Sequence, residues 1–415
     1  MSQTTIVDAD TAAARSSAPR QSIGALLILS ALMGFGSIST DVYLPALPAM
    51  AASLGAANGI MEFTITAYLL GFSVGQLMWG PIGDRHGRRI PVAVGIALFA
   101  IGSAGCALSG TAGEMIGWRV VQAVGACSGV VLARAMVRDL YAGDRAARMM
   151  SILMTVMAVA PLIGPSLGGQ ILTVASWHAI FWTLVGIGIL TMMSLLALPE
   201  TLSPERRNRE PLVGAVLNYV HLLRQPRLMG FVAAGAFFYG AMFAYIAGSP
   251  FAYVVYHHVR AQLYGVLFGA GIVGIMAANM LNARLVLKFG SIALLRGGAT
   301  GAALASTALA IFAWTGWGGL WGLAVPLFVF VAMAGFIVAN SFAGALADYP
   351  ENAGAVSALV GAMQYGTGIL GSAMVGAFAD GTPWTMAWVI ALLSIGSAVC
   401  AWRFVSPAHT RSTEQ

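Results

Sequence analysis

The chain has 415 residues, 59% of them hydrophobic and only 9% charged, against about 25% charged in soluble domains. With a mean hydropathy of +0.83, this excludes a soluble globular protein. The net charge of +6 does not point to nucleic acid, because the basic residues are scattered between apolar stretches instead of gathered on one face.

A helix crosses a bilayer with about 20 mostly apolar residues. After a polar tail over 1–21, twelve stretches meet that requirement, at 22–48, 60–82, 90–110, 113–136, 146–172, 177–198, 228–254, 262–287, 292–314, 318–345, 353–379 and 383–405. The expectation is an all-α membrane protein. Cytoplasmic loops retain Lys and Arg, and with the amino terminus inside, nineteen of the 21 basic residues fall on inner segments, Arg119 and Arg260 being the exceptions. Both termini are therefore expected in the cytoplasm, with a short tail leading into an uncleaved first span.

In chain order, the first span ends with Asp41 and Tyr43. The second opens at Glu62, where an acid complements the helix dipole, carries Tyr68, and ends in GPIGDRHGRR, Gly80 to Arg89. A charge in hydrocarbon costs roughly 2.5–3.5 kcal/mol, so Asp84, Arg85, Arg88 and Arg89 are placed in an aqueous turn. The fourth span opens at Glu114, again a capping position, and holds Arg119 and Gln122. Arg119 and Asp41 are the two ionisable side chains well within spans, and intramembrane charges are functional hypotheses by default. Helical rise puts both roughly 9–12 Å from the outer ends, at one level. They read either as a proton-coupling pair, a carboxylate whose proton affinity a guanidinium adjusts, or as a structural ion pair locking two helices.

The fifth span carries Pro161, Gly164, Pro165, Gly168 and Gly169. Proline bends a helix and glycine at four-residue intervals allows close approach, so the segment reads as a gate or as ordinary packing. GFSVG at Gly71 to Gly75 and GPSLG at Gly164 to Gly168 match G-x-S-x-G but lie in mid-span, without the strand-turn-helix setting that motif needs. The longest polar break, 199–227, divides the spans into an amino-terminal six-helix bundle (22–198) and a carboxy-terminal one (228–405), followed by a tail over 406–415. Within that cytoplasmic linker, Tyr219 to Leu223 reads as a short interfacial helix or a disordered connector.

His257 and His258 adjoin an outer loop without further ligands at metal spacing. Cys106, Cys127 and Cys400 each sit in an apolar stretch without CxxC or CxxH spacing, so neither a disulfide framework nor a metal site is expected. The second bundle has no ionisable residue well inside a span. Tyr239, Tyr245, Asn279, Asn340, Gln364 and Tyr365 are its polar interior candidates, for an uncharged or weakly polar cargo or for helix contacts. No nucleotide-binding GxxxxGK[ST] is present, and no catalytic constellation is read; neither an enzyme nor a cofactor is expected.

These motifs resemble those of the Major Facilitator Superfamily, in its twelve-span drug:proton antiporter branch. The Gly80 to Arg89 turn is similar to the signature between spans two and three. Arg119-Val120-Val121-Gln122 with Gly125 and Gly129 is similar to the span-four signature, and Gly164-Pro165-Ser166-Leu167-Gly168-Gly169 to the antiporter signature, which departs at Ala160 where glycine is frequent. Asp41-Val42-Tyr43-Leu44-Pro45-Ala46-Leu47-Pro48 resembles the Bcr/CflA group, which includes bicyclomycin-resistance and phenicol-export proteins. Ser176-Trp177-His178 to Phe181-Trp182 and Pro199-Glu200-Thr201-Leu202 to Pro204-Glu205-Arg206-Arg207 resemble the bicyclomycin-resistance proteins of that group specifically.

The resemblance implies the major facilitator fold and proton-coupled efflux of bicyclomycin- or phenicol-type drugs by alternating access, with transport of a native metabolite as the alternative. Asp41 would take the proton and Arg119 tune it. Gly80, Asp84, Arg85, Gly87 and Arg88 would form a cytoplasmic gate, Arg88 pairing with Asp139 and Asp84 meeting the amino end of span eleven near Gly354; these contacts would hold the outward-open state and break when the cytoplasmic side opens. Gly164, Pro165, Gly168 and Gly169 would seal the bundle interface. Tyr43, Tyr68, Gln122, Tyr239, Tyr245, Asn340 and Gln364 are the expected cargo contacts. The implied partners are small-molecule drugs, protons and the bilayer of a bacterial inner membrane, with no nucleic acid, and the chain is expected to act as a monomer.

Overall fold

The computed structural model describes residues 23–57, 59–141, 143–207, 221–349 and 352–405. Among them the regular structure is entirely helical. Among the described residues nine helices are long and apolar enough to cross a membrane by length and composition. One of them, Ala261–Thr315, runs 55 residues and is broken at Gly290, whose φ of 76° and ψ of 158° are not helical. It therefore supplies spans eight and nine. Phe63–His86 and Gly143–Val174 complete the twelve expected; their hydropathy is diluted by Asp84 and Arg85 at the end of one, and by Asp144, Arg145 and Arg148 at the start of the other.

Span one is Ile23–Asp41, and it stops there because Pro45 and Pro48 follow within one turn each of two short helices, Leu44–Ala46 and Leu47–Ser53. Proline fixes φ and removes the amide donor, so the chain restarts twice instead of continuing. Spans three, four and six are Arg89–Leu108, Ala112–Leu140 and Trp177–Leu195. Span seven, Pro226–Pro250, passes at its proline into a π-helical segment, Phe251–Tyr256. Span ten is Gly319–Ala332 followed by Ala334–Ala347; spans eleven and twelve are Ala353–Ala377 and Pro383–Arg403. Of the segment expected at 219–223, residues 219 and 220 lie outside the described residues and 221–223 are helical.

The exterior is inverted relative to a water-soluble protein. Leu190, Leu287 and Leu304 are 65%, 91% and 68% exposed, as a hydrocarbon solvent requires. Trp314, Trp317 and Trp321 gather, exposed, around the turn between spans nine and ten, the place of an interfacial aromatic belt.

Spans one to six pack chiefly among themselves, as do spans seven to twelve, while span five lies along span eight and span two along span eleven. Glycine brings these inter-half pairs together. A Cβ at Gly169 would stand 2.9 Å from the carbonyl of Ala261, and one at Gly265 would stand 2.7 Å from the backbone of Ser166. At the same end, a Cβ on Gly376 would stand 2.9 Å from the carbonyl of Gly59, and the hydroxyls of Thr66 and Ser372 are 2.9 Å apart. These approaches lie at the end of the molecule remote from the arginine-rich loops.

Candidate functional site

Between the halves is a cavity of about 420 Å³, within the range of small-molecule sites. The first half contributes Ser37, Thr40, Asp41, Tyr68 and Phe72; the second contributes Tyr239, Phe243, Tyr245, Phe268 and Tyr365, with Asn279 its one amide. Among the described residues Asp41 is the sole acid of the lining, and no basic residue joins it. It is the last residue of the first helix and only 5% exposed. A carboxylate there faces the negative end of a helix dipole, and among the described residues it makes no ion pair. Span five presses against it: a Cβ on Gly164 would stand 2.9 Å from that of Asp41, and one on Gly168 would collide with the carbonyl of Val42. The glycines thus set how near span five comes to the acid. Pro161 and Pro165 sit inside the continuous helix Gly143–Val174.

Arg119 does not pair with Asp41. It is 0% exposed and stands outside the cavity lining, its guanidinium 4.1 Å from the ring centre of Tyr43 and 4.3 Å from that of Tyr68. Nη1 donates to the carbonyl of Ser39, at 3.0 Å, and to Oε1 of Gln122; among the described residues Nε and Nη2 have no hydrogen-bond partner. Two aromatic faces, attractive to a cation, replace the carboxylate. Gln122 is held in turn by donating to Ser103 Oγ at 2.8 Å. Tyr68 is shared between the two regions, since it lines the cavity, stacks on Arg119, and lies within 2.5 Å of Ser39 Oγ and 3.2 Å of the Gly36 carbonyl through its hydroxyl.

Of the expected cargo contacts, Tyr68, Tyr239 and Tyr245 line the cavity, whereas Tyr43, Gln122, Asn340 and Gln364 do not. Tyr43 and Gln122 are fully buried in the Arg119 nest, and Asn340 donates to Asn282 at 2.6 Å and to the Phe336 carbonyl at 2.8 Å. Gln364 is 9% exposed, facing Gly235. Sequence reasoning missed Thr40, Phe72, Phe243 and Phe268; their aromatic or hydroxyl character in an apolar run gave no sign of facing a cavity.

In the arginine-rich turn, Arg88 Nε lies 2.8 Å from Asp139 and Nη1 lies 2.6 Å from Asp84. Burial disfavours the Arg88 charge, but these two carboxylates outweigh it and hold the guanidinium more firmly protonated than usual. Asp84 thus pairs within its own helix end; residues 350 and 351, at the entrance to span eleven where its other contact was expected, lie outside the described residues. Arg85 lies in the last turn of the second span, and a Cβ on Gly80 would meet nothing within 4 Å. Gly87 has φ 87°, a left-handed value that suits glycine, and a side chain there would run into Glu200. The Glu200 carboxylate accepts from the backbone N–H of Arg88 at 2.8 Å and of Arg89 at 3.2 Å, capping span three. Thr201 adds a 3.5 Å hydroxyl contact to Asp139. These contacts of Arg88, Glu200 and Thr201 tie spans two, three and four to the start of the linker. They coexist with close inter-half approach at the opposite end. No sequence pattern beyond the Pro199 to Leu202 resemblance had singled out Glu200.

The description of the Major Facilitator Superfamily matches residues 25–372. The chain belongs to that superfamily. This facilitator is 33% identical to the MFS-type transporter YdgK of Bacillus subtilis, over 86% of the chain and 89% of the relative. It is 30% identical to a bicyclomycin resistance protein homolog of Haemophilus influenzae, over 93% of the chain and 96% of the relative. Its fold matches the partially occluded inward open conformation of the xylose transporter XylE from E. coli with a TM-score of 0.72 at 17% identity, covering 92% and 98% of the two chains. The chain is a multi-pass membrane transporter of small molecules.

Proposed function

We propose that this facilitator exports drug-like molecules in exchange for protons, by alternating access across a bacterial inner membrane with both termini in the cytoplasm. The observation that carries the reading is a single carboxylate, Asp41, in an otherwise aromatic and neutral cavity between the two halves. Its kinship to a relative named for bicyclomycin resistance supports the cargo class. Ionised, Asp41 offers a hydrogen-bond acceptor to a neutral or weakly basic cargo stacked on Tyr68, Tyr245 and Phe268. A proton arriving from the far compartment neutralises that acceptor, weakening the charge-assisted bond to cargo, and cargo leaves. A proton moving down 100 mV contributes about 2.3 kcal/mol, enough to sustain a tens-fold cargo gradient.

Arg119 stands one aromatic layer behind, where its fixed charge bears on Asp41 through Tyr68 without neutralising it. The halves 22–198 and 228–405 rock about the linker 199–227, and the glycines of span five allow its sliding contacts with spans one and eight. The test is flux of bicyclomycin and of chloramphenicol into inside-out vesicles, with and without an imposed pH gradient. Asp41→Asn is expected to abolish gradient-driven accumulation while leaving the protein folded in the membrane. Accumulation undiminished in that variant refutes the assignment.

A further inference from the structure

The second cavity of the molecule, about 60 Å³, lies at the end remote from the arginine-rich loops, where the halves meet. Its walls come from both halves: Gly59 and Glu62 from the entrance to span two, Phe251 and Tyr256 from the π-helical segment after span seven, and Val375 and Thr385 from spans eleven and twelve. Glu62 was expected to cap its helix. It makes no side-chain cap, whereas Glu114 does take part in one, accepting from Gly110 N–H at 2.8 Å while Thr111 accepts from Glu114 N–H at 3.2 Å. Glu62 is instead 3% exposed, with Oε2 lacking a hydrogen-bond partner among the described residues.

Among the described residues no cationic side chain lines this cavity. The titratable groups around it are Tyr256 in its wall, Tyr253 one turn back beside the ring of Tyr264, Asp380, and His257, whose ring meets the edge of Tyr256 at 5.0 Å. Asp380 is already engaged, accepting from the Thr382 N–H at 2.9 Å and hydroxyl at 2.8 Å. A carboxylate sealed in this way without a countercharge is costly as an anion and far less so as a neutral acid. The seal is the inter-half contact itself, at Gly59 with Gly376 and Thr66 with Ser372. When the halves part at this end, water reaches the carboxylate and the penalty disappears. A π-helical segment, a form frequent at functional sites, forms the side of the cavity that must then move.

We infer that Glu62 is a second proton-binding site, taking a proton from the compartment at the arginine-poor end as that end closes and returning it there on opening. The inference rests on alternating access but not on the cargo, nor on Asp41 as the driving site. The Glu62 proton goes back to the side it came from, so it gates without adding to the protons carried across.

The experiment measures the distance between spin labels at Ala175→Cys and Trp317→Cys, exposed positions on the two halves at this end, in purified full-length protein in nanodiscs. Asp41→Asn is the background throughout, so that titration of the cavity acid contributes nothing. Over the pH range in which Glu62 is protonated in the closed form and ionised in the open one, the open-to-closed ratio is expected to fall tenfold for each pH unit of acidification, the slope of one linked proton. Glu62→Gln should hold the end closed at every pH, and Glu62→Asp should keep the slope. Elution as a single species checks that each variant folds. A slope that survives Glu62→Gln, one that is absent from the parent, one that vanishes in His257→Gln/His258→Gln with Glu62 intact, or one that responds to exchanging sodium for choline at fixed pH would overturn the inference. Because vesicle flux in Asp41→Asn is a separate measurement, failure of the export reading leaves this outcome independent.

Discussion

The two halves resolve buried polarity in opposite ways. The first buries a permanent cation, Arg119, against two tyrosine rings with no carboxylate, and leaves an acid, Asp41, alone in the cavity wall. The second pairs neutral groups: Asn340 with Asn282 at 2.6 Å, Ser397 with the Ala234 carbonyl at 2.7 Å, and Thr367 with the Ala236 carbonyl at 2.5 Å. Its described ion pair, Arg227 with Asp348, is about one-third exposed on each side chain and lies outside the core. A buried charge without a partner is destabilising, so its place in the first half points to a use for its field. One half therefore holds the buried charges and the other gives the cavity a neutral wall.

The largest test of that contrast is at Arg119. Arg119→Ala empties the space between Tyr43 and Tyr68 and strips Gln122 of its donor, which is expected to cost about 3–5 kcal/mol in thermal unfolding. Arg119→Met refills the space without the charge; stability should return to within about 1 kcal/mol of the parent, or exceed it, while gradient-driven flux falls at least tenfold, on the order of 1.4 kcal/mol or more. Full flux in the methionine variant would make the cation a packing element and dissolve the distinction between the halves.

The neutral half gives a smaller effect of a different kind. Asn340→Ala leaves the Asn282 amide oxygen buried and unpaired, an expected loss of about 1–3 kcal/mol. Replacing both by leucine should recover most of it. Neither change should alter cargo affinity, because Asn340 lies outside the cavity lining. Altered affinity with unchanged stability would mean that the second half recognises cargo through polar groups after all.

What the sequence made legible was set by solvent. Apolar runs of spanning length and arginine placement specify twelve helices, since hydrocarbon admits few other backbones. Even the merged helix Ala261–Thr315 contains the two spans expected there, parted by Gly290. Facing was not legible. Lipid and protein core are equally apolar, so periodicity does not tell which side of span two bears Tyr68, nor that Gln122 turns away from the cavity while Thr40 turns toward it. Facing is decided by glycine contacts such as Gly164 on Asp41 and Gly71 on span four, which join residues far apart in the chain. Glu62 and Glu200 show the same limit. Both stand at helix ends, but the one that seemed to cap is sealed in a cavity, and the one that seemed to be linker caps a helix from 111 residues away.

Glu200 offers the finest probe, because it fixes where the first half ends and the linker begins. Burial pushes its carboxyl up, but the backbone N–H groups of Arg88, Leu202, Arg89 and Thr201 prevail and hold it below the ordinary value of 4.5. A carboxyl depressed in the folded state contributes stability that is fully present above that ordinary value and is lost as pH falls through the lower native one. Glu200→Gln keeps the shape and weakens the acceptor, so the variant should be less stable than the parent by about 0.5–1 kcal/mol near neutral pH. The difference should shrink as the medium is acidified below 4.5, the two unfolding curves converging once the parent carboxyl is protonated. A difference that persists unchanged into acid would mean that the carboxylate charge is not what ties the linker to the turn. The start of the linker would then be held by its neutral contacts, such as that of the Thr201 hydroxyl with Asp139.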